Sequence, residues 1–109
     1  MDGVAAEVGA WEGVEAARSG GVVELRYDGR PLGRLLPGRV EVAFHPRLRE
    51  MLVETGRAEP GADPGFVALR VEDDADAENA VELFRLAYER ARVAERVRRT
   101  GRPAASDPR

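Results

Sequence analysis

Apolar and polar residues alternate along three stretches of the chain. In "VVELRY" Val23, Leu25 and Tyr27 fall on one side, with Glu24 and Arg26 on the other. In "RVEVAF" Val40, Val42 and Phe44 oppose Arg39 and Glu41, and in "FVALRV" Val67, Leu69 and Val71 oppose Arg70. Successive side chains of a strand point to opposite faces, so each stretch predicts a strand with one apolar and one polar side. Weaker strands are expected over Val14 to Arg18 and Leu32 to Leu36. Turn signals separate them: "SGG" at 19 to 21, "DG" at 28 and 29, "PG" at 37 and 38. Asp-Gly suits a type I′ hairpin, where both central residues need positive φ, and Pro-Gly suits a type II turn. The pattern predicts a curved antiparallel meander with one apolar side.

Helical spacing takes over elsewhere. Residues 2 to 10 read as a short amphipathic helix carrying Val4, Ala5, Val8 and Ala10, with Asp2 as its cap. "HPRLREMLVETG" places Leu48, Met51 and Leu52 at i, i+3 and i+4, with Gly56 as a left-handed stop. A third helix opens after the acidic "EDDAD" and carries Ala77, Ala80, Val81, Phe84, Ala87, Tyr88 and Ala91 on one stripe, running to about Arg99. At about 1.5 Å per residue that helix would span about 39 Å, so its last turns are expected to overhang the body. The fold class is therefore α+β: an antiparallel meander with helices packed on one face and a long C-terminal helix. One domain is expected over residues 1–99, followed by a disordered tail over 100–109.

Composition sharpens this picture in three places. The chain has 109 residues, 43% hydrophobic and 34% charged, so one core is sufficient and no apolar run approaches a membrane span. The absence of cysteine excludes disulfides and thiol chemistry, and with no secretory pattern at the start a cytoplasmic address is expected. The charge, −3 overall, is uneven: residues 85 to 109 hold eight arginines against three acids, and the rest is acidic. All 17 basic residues are arginine, which reads as coding bias rather than recognition.

Candidate chemistry is sparse. His45 is the sole histidine and precedes Pro46, a residue that fits the first helical position, so His45 reads as the helix entry. A metal site needs several donors in register, and none is expected. The polar sheet face carries Glu24, Arg26, Arg34, Glu41 and Arg70. A solvated charge ladder is the plain reading. The sharper one is a grip on a small anion by Arg26, Arg34 and Arg70, since guanidinium forks hold carboxylate or phosphate bidentately, with His45 as a further ligand-binding candidate. Arg92, Arg96, Arg98 and Arg99 could follow a phosphate backbone, but interleaved glutamates and the lack of aromatic residues after Tyr88 weigh against nucleic acid. Trp11 and Tyr88 read as core or core-edge residues.

The run "GGVVELRYDGRPLGRLLPGRVEVAFHPRLREMLVETGRAEP" followed by "DPGFVALRVEDDADAENAVELFRLAYERA" resembles the luciferase-domain family, small bacterial proteins sharing a domain named from fungal luciferase, over roughly residues 11 to 92. The order of elements is also similar to that of the YjbR-like double-wing proteins, which are proposed DNA binders. The first resemblance implies a Gly-His-x-His step where this chain reads Gly33, Arg34, Leu35 and Leu36, and a histidine after "AEP", where it reads Gly61 and Ala62. With those imidazoles missing, the resemblance carries over a fold rather than an activity. The expectation is a non-catalytic or degenerate binding module without cofactor, monomeric or homodimeric, whose partner is a small anion or a protein. The alternatives are a cofactor-independent, luciferase-like oxygenase and a weak DNA binder.

Overall fold

A computed structural model describes residues 2–99, so the expected tail over 100–109 lies outside the described residues. Helix α1 (Asp2–Gly9) leads into four consecutive strands, β1 (Val14–Ser19), β2 (Val22–Tyr27), β3 (Arg30–Leu36) and β4 (Arg39–Ala43). Then follow α2 (Pro46–Glu54), a two-residue β5 (Glu59–Pro60), β6 (Phe66–Arg70) and α3 (Asp74–Arg99). The sheet is antiparallel throughout, in the order β1-β2-β3-β4-β6-β5.

The turn chemistry sets the hairpins. Asp28 and Gly29 both take positive φ, 52° and 79°, as a type I′ turn demands, and Gly38 takes 79° after Pro37. Between β2 and β3 the register slips: Leu25 faces Gly33, but Arg26 faces Pro31, leaving Leu32 without an opposite residue. This bulge turns both Leu32 and Gly33 inward, where strict alternation would have sent one of them out.

The apolar side is covered by helices. Val4 and Val8, four apart on α1, are 1% and 0% exposed. On α3, Ala80, Leu83, Phe84, Ala87 and Tyr88 are buried and join the strand residues Leu25, Leu35, Val40, Val42 and Val67 in one cluster. The acids before α3 cap it: Asp73 accepts from the Asp76 N–H at 2.8 Å, and Asp76 accepts from the Glu72 N–H at 2.9 Å, a close variant of the reciprocal capping box. On α2 Leu52 is buried, and Leu48 and Val53 pack against the core beside it. Met51, expected on that stripe, is instead 54% exposed, because it stands about 100° round the helix from Leu52 on the side away from Val53, and this short helix covers only the β5–β6 corner. No described helix is long and apolar enough to cross a membrane.

Candidate functional site

The face of the sheet away from the helices carries its charges in rows. Register places Ala17, Glu24, Arg34, Glu41, Ala68 and Glu59 side by side across the six strands. One step along, Leu36, Arg39 and Arg70 form a second row. Opposite charges meet across β2–β3 and β3–β4, but Arg39 and Arg70 face each other directly.

At the centre of the first row is Glu41, whose side chain is only 1% exposed. The tight connection from β5 to β6 folds over it. Gly61 donates to Phe66 O at 2.9 Å, and a Cβ on Gly61 would stand 2.8 Å from the Phe66 Cβ, so a side chain there would push the loop off the sheet. The loop then aims the Ala62 N–H at Glu41 Oε2, 3.2 Å away. Arg34 Nε donates to Oε1 at 2.8 Å, and an Arg39 guanidinium nitrogen donates to Oε2 at 2.5 Å. Burial pushes the Glu41 carboxyl up, but the hydrogen bonds from Arg34 and Ala62, with the charges of Arg34 and Arg39, more than offset it and hold the group below the usual carboxylate range. It stays ionised near neutral pH and is no source of protons there.

Arg34 is a double clamp. Its other arm reaches Asp63 in the loop at 2.8 Å, and its guanidinium carbon lies 4.6 Å from the centroid of the Phe66 ring. The hydrogen bonds to Asp63 and then Glu41 raise its pKa further above an already basic value. Arg49 on α2 fixes the same corner by donating to Phe66 O at 2.9 Å. A solvated ladder therefore describes the edge of this face but not its middle, where a carboxylate is enclosed.

The remaining candidates separate in space. Arg26 pairs with Glu24 at 2.6 Å with both side chains well exposed, and two strands, β3 and β4, separate it from Arg70, so Arg26 and Arg70 are not brought together. Arg70 lies 3.9 Å from Glu72 and is 72% exposed. With Arg39 it lines a pocket of about 310 Å³, together with Pro37, Gly38, Ala68, Glu59 and Glu72. Arg39 was not among the sequence candidates; its signal was its place in "RVEVAF", on the polar side beside Glu41.

His45 is the N-cap of α2, with Pro46 at the first helical position and its Nδ1 accepting from the Arg47 N–H at 3.3 Å. The bond is long and exposed, so His45→Ala is expected to lower stability by less than about 1 kcal/mol, the low end for a lost cap. A urea titration showing a loss above 2 kcal/mol would give this ring a larger structural part than a cap.

The basic end of α3 folds its charges back on the body. Arg92 lies over the Tyr88 ring at 5.5 Å, and Arg98 reaches Asp28 at 3.5 Å. Arg92 and Arg96 line a cleft of about 540 Å³ with Glu12, Glu15, Asp28 and Glu95. The 2.6 Å hydrogen bond that Tyr27 donates to Glu95 raises its hydroxyl's pKa, and burial adds to the rise. The side chain of Arg99 lies outside the described residues. Four acids share the cleft with these arginines, a poor surface for a phosphate backbone.

The fold and this face define a small α+β domain whose sheet presents a carboxylate enclosed by arginines to a short covering loop. Residues 33–87, half the chain, match the family model described as the luciferase domain, and the chain belongs to that family. No curated protein and no solved structure matches it. The two stretches in which the family resemblance implies histidines converge here: Arg34 on β3 and Ala62 in the loop both bind Glu41. Among the described residues no group of three or more histidines and acids could hold a metal ion.

Proposed function

We propose that this protein is a non-catalytic binding module of the luciferase-domain family that takes a small carboxylate or phosphate between Arg39 and Arg70. The observation that carries this reading is their register. The two arginines stand directly opposite each other and line one pocket with Gly38 and Ala68. Like charges in that position destabilise a sheet, and an anion between them would turn the repulsion into two charge-assisted hydrogen bonds. Arg39 is pre-oriented because one of its nitrogens is already held by Glu41. Glu59 and Glu72, which also line the pocket, disfavour large polyanions and leave room for a small one with a single charged head.

The same face supports binding over turnover. Arg34, Leu36, Gly61 and Ala62 stand where the family resemblance implies histidines, and Glu41 is kept ionised by its arginines. A luciferase-like oxygenase would need a group there that exchanges protons near neutral pH.

A thermal-shift screen with small carboxylates and phosphates tests the proposal. A ligand present at about ten times its Kd adds about 1.4 kcal/mol, a rise of several degrees for a domain of this size. The rise is expected in the parent and in Arg26→Ala, and is expected to vanish in Arg70→Ala. Equal shifts in the parent and Arg70→Ala, or none at millimolar ligand, would remove the site.

A further inference from the structure

We infer that the cleft between the second half of α3 and the facing ends of β1 and β2 is a ligand site of its own, which takes a small zwitterion carrying one ammonium and one carboxylate. It shares no lining residue with the pocket of Arg39 and Arg70, so it stands or falls apart from the anion site.

The cleft's volume, about 540 Å³, falls within the range of small-molecule sites, about 300–1,000 Å³. Tyr88, Arg92, Glu95 and Arg96, at i, i+4, i+7 and i+8 on one face of α3, form its helical wall. Glu12, Gly13 and Glu15 come from the run into β1, and Tyr27 and Asp28 from the end of β2. Three ties hold the walls at a set distance. Tyr88 donates to Glu12 O at 2.7 Å, Tyr27 donates to Glu95 at 2.6 Å, and Arg98 reaches Asp28 at 3.5 Å. Gly13 contributes bare backbone with a φ of 85°, and a Cβ there would stand 2.6 Å from Tyr27 Cε1. The cleft is thus shaped before any ligand arrives, which lowers the ordering cost of binding.

The ties use Glu95 and Asp28 and leave other charges over. Among the described residues the side chains of Glu12, Glu15 and Arg96 make no hydrogen bond or ion pair, and Arg92 makes only its ring contact with Tyr88. Two carboxylates and two guanidiniums therefore line one cavity without pairing with each other. A simple anion would enter a cleft that holds four acids, and a simple cation would meet two guanidiniums. A ligand with both charges satisfies both sets. Its carboxylate takes the N–H groups of Arg92 and Arg96, neighbours one turn apart on α3, and its ammonium donates to Glu12 and Glu15. The rings of Tyr27 and Tyr88 offer apolar edges to a short carbon chain between the two charges.

Titration of the isotope-labelled full chain with amino acids of increasing chain length, from glycine to aminohexanoate, tests this by following the amide resonances. One member of the series is expected to move the amides of Gly13, Tyr27 and Arg92 saturably at millimolar concentration. The plain carboxylate and the plain amine of the same chain length are each expected to bind the cleft at least about tenfold more weakly, the loss of one set of charge-assisted hydrogen bonds. In Glu12→Gln/Glu15→Gln the zwitterion is expected to bind no better than the plain carboxylate, and in Arg96→Gln about tenfold more weakly than in the parent. Arg70→Ala is expected to leave its affinity unchanged. All four side chains are exposed, so the variants keep the fold. No saturable shift of those amides at about 20 mM, a singly charged analogue that binds as tightly as the zwitterion, or undiminished affinity in Arg96→Gln or in Glu12→Gln/Glu15→Gln would each overturn the inference.

Discussion

Replacing Gly33 with alanine is expected to destabilise the protein by about 3 kcal/mol, the upper part of the range for overpacking a core, and to lower its melting temperature by more than about 10 °C. A Cβ built on Gly33 would stand 2.7 Å from the Phe84 ring and 3.0 Å from the Cα of Val42, and would overlap the Glu41 carbonyl oxygen. None of the three can retreat cheaply. Phe84 is fully buried where α3 crosses the sheet, and the other two are backbone of β4, paired on its far side with β6. Gly65→Ala is the matched control: a Cβ there meets nothing within 4 Å, so a change within about 0.5 kcal/mol is expected. Adding Phe84→Leu to Gly33→Ala should recover part of the loss, because the smaller side chain vacates the ring edge. A Gly33→Ala protein that melts within 2 °C of the parent would mean that α3 does not lie so close over β3.

That glycine also marks where the fold stops being readable in the residues. The alternation of "VVELRY", "RVEVAF" and "FVALRV" and the Asp-Gly and Pro-Gly turns determine a meander, because period two and positive φ are local demands that the residues express directly. "RPLGRLL" has no clean alternation, and the reason is the bulge at Leu32, which exists to seat Leu32 and Gly33 together under α3. Met51 looked apolar enough to be core, yet only packing against the β5–β6 corner decides which side of a nine-residue helix is covered. The arginines of the polar face were visible as a set. Their partition was not, since it depends on which acid each one reaches: Glu24 for Arg26, Glu41 and Asp63 for Arg34. The strand pattern put Glu41 in solvent, whereas the loop over Gly61, Ala62 and Asp63, which no alternation or helical spacing marks, encloses it.

The enclosure makes Glu41 the residue on which the polar face depends, and Glu41→Ala is expected to lower stability by about 2 to 3 kcal/mol. Breaking a fully buried ion pair costs about 3–5 kcal/mol. The lower figure applies here because Arg34 and Arg39 are 27% and 46% exposed and can rehydrate. Glu41→Gln keeps an acceptor for Arg34 and for the Ala62 N–H while removing the charge, so its loss should be about half as large. Both variants also remove the contribution of this carboxyl to the pH dependence of stability. Because the folded protein holds the Glu41 carboxyl below its ordinary value of 4.5, the unfolded chain binds more protons in the interval between, and stability rises with pH across it. The contribution is complete above the ordinary value and is lost as pH falls through the folded one. Urea titrations of the parent and Glu41→Gln should therefore differ most at pH 7 and converge as the pH is lowered below the ordinary value and the parent's own carboxyl is protonated. A gap that is absent at pH 7, or that does not narrow as the pH falls, would mean that Glu41 is not held as an ion by Arg34, Arg39 and the loop. The loop would then have no reason to close over the sheet, and Arg39 would lose the anchor that aims it at Arg70.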